Sequence, residues 1–388
     1  MKYRAYWVQR IEEAWQTRSV IWLSGVRRVG KTVLCQSLAD VEYFDCELPS
    51  TRRQFEDPES FLESMTGCRL VLDEIHRLSQ PSQLLKIAAD HFPQVKIIAT
   101  GSSTLGASAK FSDTLAGRKA SIWLTPMALD DLSAFGEPDL GRRLRQGGLP
   151  PYYLADPFRE RDIQEWIDAY WAKDILELFR LERKSSFQRF VELVMASSGG
   201  IFEATRFAGP CEVSRTTIAN YLAVLEATLV AHVVRPFNTY RPAEIISAPK
   251  VYGFDTGFVC TYRGWQEPRP EEVGLLWEHF VLNELHASLQ ASSVQYWRDK
   301  RGHEIDFVLA SPGLPPVAIE CKRSAEEFDS SSLHSFRRAY PQGENYVVAM
   351  NARSSYTRRT RECMVTFLGL RQLIDLVVPG KPAEANNI

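Results

Sequence analysis

The chain has 388 residues, of which 45% are hydrophobic and 24% are charged, and its formal net charge is -2. This length exceeds what one hydrophobic core usually organises, so we expect two or three domains. The nearly balanced charge argues against a protein that covers nucleic acid or a membrane with its whole surface, and any such contact must come from local patches.

The cysteine pattern and the hydropathy of the sequence both favour a protein located inside the cell. The seven cysteines are scattered, without a CxxC pair or a spacing typical of metal ligands, which is the pattern of reduced thiols. The N-terminus MKYRAYWVQRIEEAW lacks the apolar core of a signal peptide, and no window approaches the roughly 18 uninterrupted apolar residues of a membrane span. We therefore expect a cytoplasmic protein without a membrane partner.

Short apolar runs dominate the first third of the chain. SVIWLSG, RLVLDE, VKIIATG and ASIWLTP are separated by segments long enough for helices, and this alternation predicts a mainly parallel sheet of an α/β domain. From about residue 155 to 235 the pattern is helical, and strands and helices mix again from residue 250 onward.

The stretch GVRRVGKT, Gly25–Thr32, fits the GxxxxGK[ST] pattern and follows an apolar strand. Gly25 and Gly30 let backbone N–H groups close around phosphates, and Lys31 can reach the β- and γ-phosphates. The hydroxyl of Thr32 can bind magnesium. ATP and Mg²⁺ are therefore the expected cofactors.

The stretch LVLDEIH places Asp73 and Glu74 at the end of an apolar strand. In a parallel sheet this end lies on the same edge as the phosphate loop, so Asp73 is expected to hold the magnesium ion. Glu74 is expected to orient and polarise the attacking water, as hydrolysis requires. We expect His76 to be structural.

Polar residues after the next strands are candidate sensors of the nucleotide. Thr100 and Ser102, in KIIATGSS, could each sense the γ-phosphate. Arg118, in TLAGRKA, precedes the following apolar strand. In ring ATPases an arginine at this place often reaches the γ-phosphate of the neighbouring subunit, whereas the alternative is an arginine that fixes its own loop. A homo-oligomer, including a hexameric ring, is expected if the first alternative holds.

The middle segment contains one amphipathic helix that could face DNA. Ser214 is expected to cap a helix from Arg215 to Leu229. Its inward side chains are Ile218, Leu222 and Leu225, and its outward side chains are Arg215, Thr216, Thr217 and Asn220. Such a helix suits phosphates and base edges, but similar helices also serve as lids or protein contacts.

The stretch AIECKRS raises the prediction of a second active site. In a strand, Glu320 and Lys322 project to one face, and Asp306 lies 14 residues earlier, across a loop rich in proline and glycine. Glu278, on the helix LLWEHFVLNEL, could add a third carboxylate. Converging carboxylates bind magnesium, and a lysine can help activate water, which is the chemistry of phosphodiester cleavage. A solvated strand or an inactive nucleic-acid-binding platform remains the alternative.

Taken in order, GVRRVGKT, LDEIHRLSQ, ATGSS, LAGR and GGLPPYY resemble the prokaryotic AAA-type ATPases that carry a C-terminal domain of unknown function. In the C-terminal half, VSRTTIANYL, KVYGFDTGF, LLWEHFVLNEL, RGHEIDFVL and AIECKRS resemble that family's winged helix and restriction-endonuclease-like domain. Two departures stand out. Val26 replaces the proline of many relatives, and GGLPPYY has no arginine for a second sensor, so no residue receives that role.

The resemblance implies an AAA-type ATPase domain over residues 1–150 and a helical lid with a winged helix over 151–245. A PD-(D/E)xK nuclease-like α/β domain would follow over 246–375, with a flexible tail over 376–388. The implied function is ATP hydrolysis coupled to DNA binding and magnesium-dependent DNA cleavage. The alternative is an ATP-dependent switch that binds DNA or a protein partner and cuts nothing.

Overall fold

The computed structural model of the chain describes residues 3–101, 113–156, 159–176, 183–240, 248–290, 294–360 and 363–378. The chain divides into two compact units. The first comprises Met1–Asp139, Gly148–Gln188 and Asn220–Val230, and the second comprises Leu140–Gly147, Arg189–Ala219 and Ala231–Ile388. The middle segment contributes to both units, and the domain boundaries at residues 150 and 245 stay a prediction.

A parallel sheet forms the centre of the first unit. Within the described residues its strands are β1 (Val20–Ser24), β2 (Glu42–Asp45), β3 (Arg69–Asp73), β4 (Lys96–Thr100) and β5 (Lys119–Trp123). Their order across the sheet is β2-β3-β4-β1-β5. Every neighbouring pair is parallel. Strands β1, β3 and β4 are buried over most of their length, as expected for a parallel sheet covered on both faces. The α/β prediction for this unit is confirmed.

Helices connect and cover these strands, so the carboxyl ends of the strands share one edge of the sheet. The helices of this unit are α1 (Ala5–Thr17), α2 (Lys31–Gln36), α3 (Pro49–Gln54), α4 (Pro58–Ser64), α5 (Pro81–His91) and α6 (Leu129–Leu132). After α7 (Leu140–Gln146) of the second unit come α8 (Pro150–Tyr153), α9 (Glu160–Tyr170) and a π-helical turn over Trp171–Ile175.

The second unit contains a mixed sheet. Among the described residues its strands are β6 (Gly200–Ile201), β7 (Ala231–Pro236), β8 (Lys250–Gly253), β9 (Val294–Arg298), β10 (Glu304–Leu309), β11 (Val317–Lys322), β12 (Asn345–Ala349), β13 (Tyr356–Thr360) and β14 (Cys363–Leu368), in the order β13-β14-β12-β11-β10-β9-β7-β8-β6. Strands β9, β10 and β11 pair antiparallel, and β11, β12 and β14 pair parallel. The antiparallel arrangement brings the predicted Asp306 strand directly beside the Glu320 strand.

The remaining helices are α10 (Lys184–Ala196), α11 (Ala204–Ala208), α12 (Arg215–Ala227), α13 (Thr256–Arg263), α14 (Pro270–Leu289), α15 (Ser331–Ala339) and α16 (Leu370–Val377). Helix α12 begins as predicted, because the N–H of Thr217 donates to Ser214 Oγ at 3.1 Å. It ends at Ala227 rather than Leu229, since Leu229 has a positive φ of 64° that ends the helical path.

The C-terminal helix extends past the predicted start of the tail. Helix α16 continues to Val377, so residues 376 and 377 of the predicted tail 376–388 are helical, and residues 379–388 lie outside the described residues. No helix in the described part of the chain is long and apolar enough to cross a bilayer.

A buried histidine links three elements of the second unit. His279 of α14 accepts a hydrogen bond at Nε2 from the Ser198 hydroxyl (2.6 Å) and donates from Nδ1 to the carbonyl of Leu275 (2.8 Å). The Ser198 oxygen in turn accepts the N–H of Gly253 in β8 at 2.6 Å. The Ser198 hydroxyl can donate to Nε2 only while the imidazole is neutral. Burial accordingly lowers the pKa of His279 to about 4.

This histidine should make the second unit sensitive to acid. Its folded-state pKa lies below the usual 6.5, so its stabilising contribution is present above pH 6.5 and is lost as the pH falls through about 4. We expect the melting temperature of His279→Gln to fall less than that of the parent chain over this window, because glutamine keeps an acceptor for Ser198 and does not titrate. Equal pH dependence of the two proteins would show that folding does not lower the pKa of His279.

Candidate functional site

The phosphate loop is closed by its own residues. Gly25 has φ 152°, and a Cβ there would lie 2.5 Å from the carbonyl oxygen of Leu124, so only glycine fits. Gly30 has φ 102°, the left-handed region that favours glycine. Lys31 begins α2, and its Nζ donates to the carbonyls of Gly25 (2.8 Å) and Val26 (3.3 Å). The predicted glycines and lysine therefore occupy the expected places.

Two side chains from outside the motif hold the loop's carbonyls. Arg4 Nη1 donates to the carbonyl of Val29 at 3.1 Å, and the indole Nε1 of Trp166 donates to the carbonyl of Arg27 at 3.0 Å. These two hydrogen bonds hold the loop's backbone at two positions. The loop is thus preorganised by contacts that no local motif encodes.

Arg4 is itself fixed by a buried ion pair. Its Nε donates to Asp131 Oδ1 (2.8 Å) and its Nη2 to Oδ2 (2.5 Å), and both side chains are almost fully buried. Asp131 Oδ2 also accepts from Trp7 Nε1 (3.2 Å) and from the N–H of Ala128 (2.9 Å). A buried pair with this many hydrogen bonds is satisfied as a unit, and removal of one partner leaves an uncompensated charge.

Asp73 gathers three hydroxyl groups at the end of β3. The hydroxyl of Thr32 donates to Asp73 Oδ2 at 2.8 Å and that of Tyr43 donates to the same atom at 2.5 Å. The hydroxyl of Thr100 donates to Oδ1. Thr32 and Asp73 thus meet as predicted. Their hard oxygen atoms fit a magnesium ion, and these residues would hold it next to the phosphates.

Glu74 has a constrained backbone and a charged side chain. Its φ is 52°, and its N–H donates to the Thr100 hydroxyl at 3.2 Å. Its Oε2 lies 3.1 Å from Nδ1 of His76. Burial alone would raise the pKa of Glu74, but the contact with His76 and the positive charge of Lys31 lower it below the usual value. Glu74 is therefore ionised, and His76, which was predicted to be structural, contacts it directly.

The two predicted sensors can be placed only in part. Thr100 is fully buried and contacts both Asp73 and the backbone of Glu74, so it positions the acidic pair. Ser102 lies outside the described residues.

Arg118 forms an ion pair with Asp90, with Nε and Oδ1 separated by 2.7 Å. Within one chain this contact matches the loop-fixing alternative, and a role across a subunit interface stays a prediction.

Residues of the phosphate loop, together with Asp73 and Glu74, line a cavity of about 740 Å³ in the first unit. Its walls include residues that the motif analysis did not select, namely Arg4, Arg27, Tyr43, Lys173 and Asp174. Burial lowers the pKa of Lys31, and the charges of Glu74 and Asp174 oppose that shift. Asp174 belongs to the π-helical turn, a distortion that often occurs at functional sites. Because Asp174 lies far along the chain from the phosphate loop, no local sequence pattern links the two.

A second constellation lies on the hairpin of β10 and β11. The N–H of Cys321 donates to Asp306 Oδ2 at 2.7 Å. Lys322 Nζ lies 2.7 Å from Glu320 Oε2 and 3.7 Å from Asp306 Oδ2. The structure therefore brings together Asp306, Glu320 and Lys322, as predicted from strand alternation.

The negative charge of Asp306 and Glu320 is only partly compensated by neighbouring groups. Glu320 is only 5% exposed, and its Oε1 accepts no hydrogen bond from the part of the chain that the structure describes. Burial and the charge of Asp306 raise the pKa of Glu320 to about 8, and burial raises that of Asp306 despite Lys322. A divalent cation would relieve both effects. The orphaned oxygen and its hard-donor neighbours thus fit a magnesium ion held by Asp306 and Glu320.

Glu278 does not join this pair as a third free carboxylate. Its Oε1 accepts hydrogen bonds from Lys250 Nζ, at 2.9 Å, and from the hydroxyl of Tyr252. A cleft of about 450 Å³ is lined by Glu278, Asp306 and Lys322 together. Nevertheless, no group of three or more His, Cys, Asp or Glu side chains among the described residues is arranged to hold a metal. Lys250 pairs with Glu304 as well, at 2.8 Å, and a role of Glu278 as a third metal ligand stays a prediction.

Comparison with known proteins assigns the first site. Residues 17–133 match a family model described as an AAA domain. These residues form an AAA-type P-loop ATPase domain. Residues 137–269 and 273–370 match models that are each described as a domain of unknown function, DUF8612 and DUF4143. Those descriptions assign neither a winged helix nor a nuclease to the C-terminal half of this ATPase.

Two curated relatives match most of the chain. They are described as uncharacterized proteins of Mycobacterium bovis and Mycobacterium tuberculosis, and both are 27% identical over 338 residues, or 84% of this chain and 75% of the relative. A Walker-type ATPase of Pyrococcus abyssi matches with a TM-score of 0.46 and 17% identity, covering 68% of this chain and 96% of its own.

AMPPCP-bound DnaA from Aquifex aeolicus matches with a TM-score of 0.23 and 14% identity, covering 56% of this chain and 86% of its own. Likeness at these scores says nothing about the ligands or partners of this ATPase.

We predict that Arg4 is required for nucleotide affinity as well as for folding. Arg4→Lys keeps the charge but loses the planar fork, and we expect nucleotide affinity to fall about tenfold with the loss of the tether to Val29. The double variant Arg4→Met with Asp131→Asn removes both buried charges and keeps a side-chain acceptor for Trp7 and Ala128, which recovers stability without restoring the tether. Fluorescent-nucleotide titration and thermal melting separate the effects. Normal affinity in a folded double variant would limit Arg4 to a structural role.

Proposed function

We propose that the chain is an ATP-hydrolysing enzyme that acts on DNA and cleaves it with magnesium at Asp306, Glu320 and Lys322. One observation carries the cleavage proposal. Two buried carboxylates and a lysine meet on adjacent strands, and one carboxylate oxygen is left without a hydrogen-bond donor among the described residues. Folding does not need this arrangement, because buried polar atoms are normally paired.

The residues of the ATPase site have distinct roles in this proposal. Lys31 neutralises charge on the transferred phosphoryl group, and Thr32 and Asp73 hold the magnesium ion. Glu74 is ionised and lines the same cavity, so it can accept a hydrogen bond from the attacking water and orient it. Thr100 keeps Asp73 and Glu74 in place.

At the second site, water adds across a phosphodiester P–O bond. Asp306 and Glu320 would hold the magnesium ion, which supplies charge stabilisation and lowers the pKa of a bound water. Burial opposes the charge of Lys322, but the two carboxylates raise its pKa. Lys322 therefore stays protonated and is placed to stabilise negative charge on the phosphate rather than to accept a proton.

DNA as a partner is supported by the middle segment. Helix α12 carries an exposed polar row of Arg215, Thr216 and Asn220. It is followed by β7, which pairs antiparallel with β8, as β6 also does. Helices followed by a small antiparallel sheet are typical of winged helices, which often read DNA. A homo-oligomer, including a hexameric ring, belongs to the same proposal through Arg118.

A specific observation favours the alternative, a switch that does not cut. Lys322 and Lys250 already compensate the carboxylates of Glu320 and Glu278 by ion pairs of 2.7 and 2.9 Å, so part of the negative charge is neutralised without a metal. In this alternative the C-terminal half binds DNA or a protein, and the nucleotide state sets its conformation.

The role of Glu74 can be tested by an isosteric change. Glu74→Gln should bind ATP normally, because the phosphate contacts remain, and should hydrolyse it at least about 100-fold more slowly, because the water loses its acceptor. Lys31→Ala should instead lose affinity. Nucleotide titration and phosphate release measure both. Parental turnover by Glu74→Gln would remove Glu74 from the mechanism.

The cleavage proposal is tested with labelled linear, branched and single-stranded DNA in magnesium or manganese, with and without ATP. Asp306→Asn and Glu320→Gln should each abolish cutting and preserve ATP hydrolysis, because the two sites lie in different units. Glu327→Gln is the matched control, since Glu327 lines the same cleft but is paired with Arg323 at 2.6 Å.

Two results would contradict cleavage. One is an Asp306→Asn protein that cuts DNA as fast as the parent chain, and the other is a parent chain that leaves every substrate intact with both metals. Nucleotide-dependent DNA binding in the second case would establish the switch.

A further inference from the structure

The first unit contains a second concave surface that the ATPase chemistry does not use. A cleft of about 670 Å³ opens beside α3, α4 and the turn that follows β3. Its charged walls are formed by Arg52 and Arg53 of α3, Arg77 of the turn Ile75–Arg77, and Glu56. Three guanidinium groups against one carboxylate give this cleft a positive charge in a chain whose formal net charge is -2.

Two of these arginines are available to a ligand. Arg52 Nη1 donates to the carbonyl of Glu47 at 2.9 Å and contacts that of Cys46 at 3.5 Å, which fixes the guanidinium without neutralising it. The guanidinium of Arg53 belongs to an exposed side chain and makes no hydrogen bond or ion pair with any residue in the described ranges. A fixed cation beside an exposed one suits an anion that arrives from solvent.

The cleft has the polar and apolar surfaces that a nucleotide unit needs. Phe55 and Leu78 are largely buried beneath it, while Ser79, Gln80 and Gln83 supply side-chain donors and acceptors at its rim. Arginine and amide groups around an apolar floor match a phosphodiester with its attached sugar and base.

The position of the cleft in the fold agrees with ligand binding. Helix α3 follows the carboxyl end of β2, and the turn Ile75–Arg77 follows that of β3. Ligands of open α/β sheets bind outside this edge. Arg77 lines both this cleft and the nucleotide cavity, so the two spaces are neighbours within one unit.

We propose that this cleft binds the phosphodiester backbone of a single-stranded nucleic acid, with Arg52 and Arg53 contacting phosphates. The strand adds a contact surface on the ATPase unit that is separate from α12 and from the Asp306 site. The proposal does not depend on DNA cleavage, because it uses none of the residues of the second unit.

The test is fluorescence anisotropy of a labelled oligothymidylate of about 15 nucleotides with the full chain in EDTA. EDTA keeps the probe intact whether or not the Asp306 site cuts DNA. Arg53→Glu and Arg52→Gln should each weaken binding about fivefold to tenfold at low salt. Each should also reduce the slope of log K against log salt by about 0.7 for every phosphate that the variant no longer neutralises. Melting curves verify the fold of each variant.

Arg161→Glu is the matched control. Arg161 is an exposed arginine of the same unit, paired with Glu165 and outside the cleft, and its charge reversal changes the net charge as much as Arg53→Glu does. Affinity and salt slope in this variant should stay near those of the parent chain. Equal losses in Arg53→Glu and Arg161→Glu, or no binding by the parent, would overturn the proposal.

A second arm separates a nucleic-acid strand from a small phosphate compound. Inorganic phosphate is titrated into the parent and Arg53→Glu chains while the melting temperature is followed. Stabilisation that requires Arg53, together with oligonucleotide binding that does not, would assign the cleft to a small phosphate and overturn the strand assignment. Binding of the oligonucleotide that requires Arg53 supports it.

Discussion

The carboxylate of Asp73 is the point on which the ATPase site depends. It accepts hydrogen bonds from hydroxyls on the phosphate-loop helix, on β2 and on β4, so three separate elements are tied at one edge of the sheet. Thr100 extends this network to the backbone of Glu74. One buried group therefore sets the positions of the proposed magnesium ligands and of the carboxylate proposed to orient water. A parallel sheet makes this possible, because its strands all end on the same side.

The buried carboxylates of Asp131 and Glu320 differ in how completely their oxygen atoms are paired. At the phosphate loop, Arg4 and Asp131 pair with each other, Asp131 also accepts hydrogen bonds from Trp7 and Ala128, and Arg4 donates to the loop's backbone. On β10 and β11, Lys322 lies 2.7 Å from Glu320 but 3.7 Å from Asp306, and one oxygen of Glu320 has no donor in the described part of the chain. Complete pairing is typical of a structural network, whereas an incomplete one stores electrostatic free energy that a cation can release.

Both sites place hard oxygen ligands beside a lysine, which suits the two proposed reactions at phosphorus. The two sites differ in the element that carries the lysine and in the groups that the lysine contacts. In the ATPase site Lys31 donates to carbonyls of its own loop, whereas in the second unit Lys322 lies on a strand and pairs with the carboxylate of Glu320. The arginine cleft adds a third region of positive charge. A nearly neutral chain can thus contact phosphates at several places, since its charge is concentrated locally.

The parallel sheet, the phosphate loop, the Asp73–Glu74 pair and the face shared by Glu320 and Lys322 were predictable from the amino-acid sequence, because each depends on spacing within a few residues of one strand or loop. The folded chain was needed to show that Arg4 tethers the loop, that Lys250 pairs with Glu278, that Arg118 pairs with Asp90 within its own chain, and that Asp174 approaches Lys31. Each of these contacts joins residues 25 or more positions apart. Local periodicity carries no information about such pairs, since their distance is set by how whole helices and strands pack.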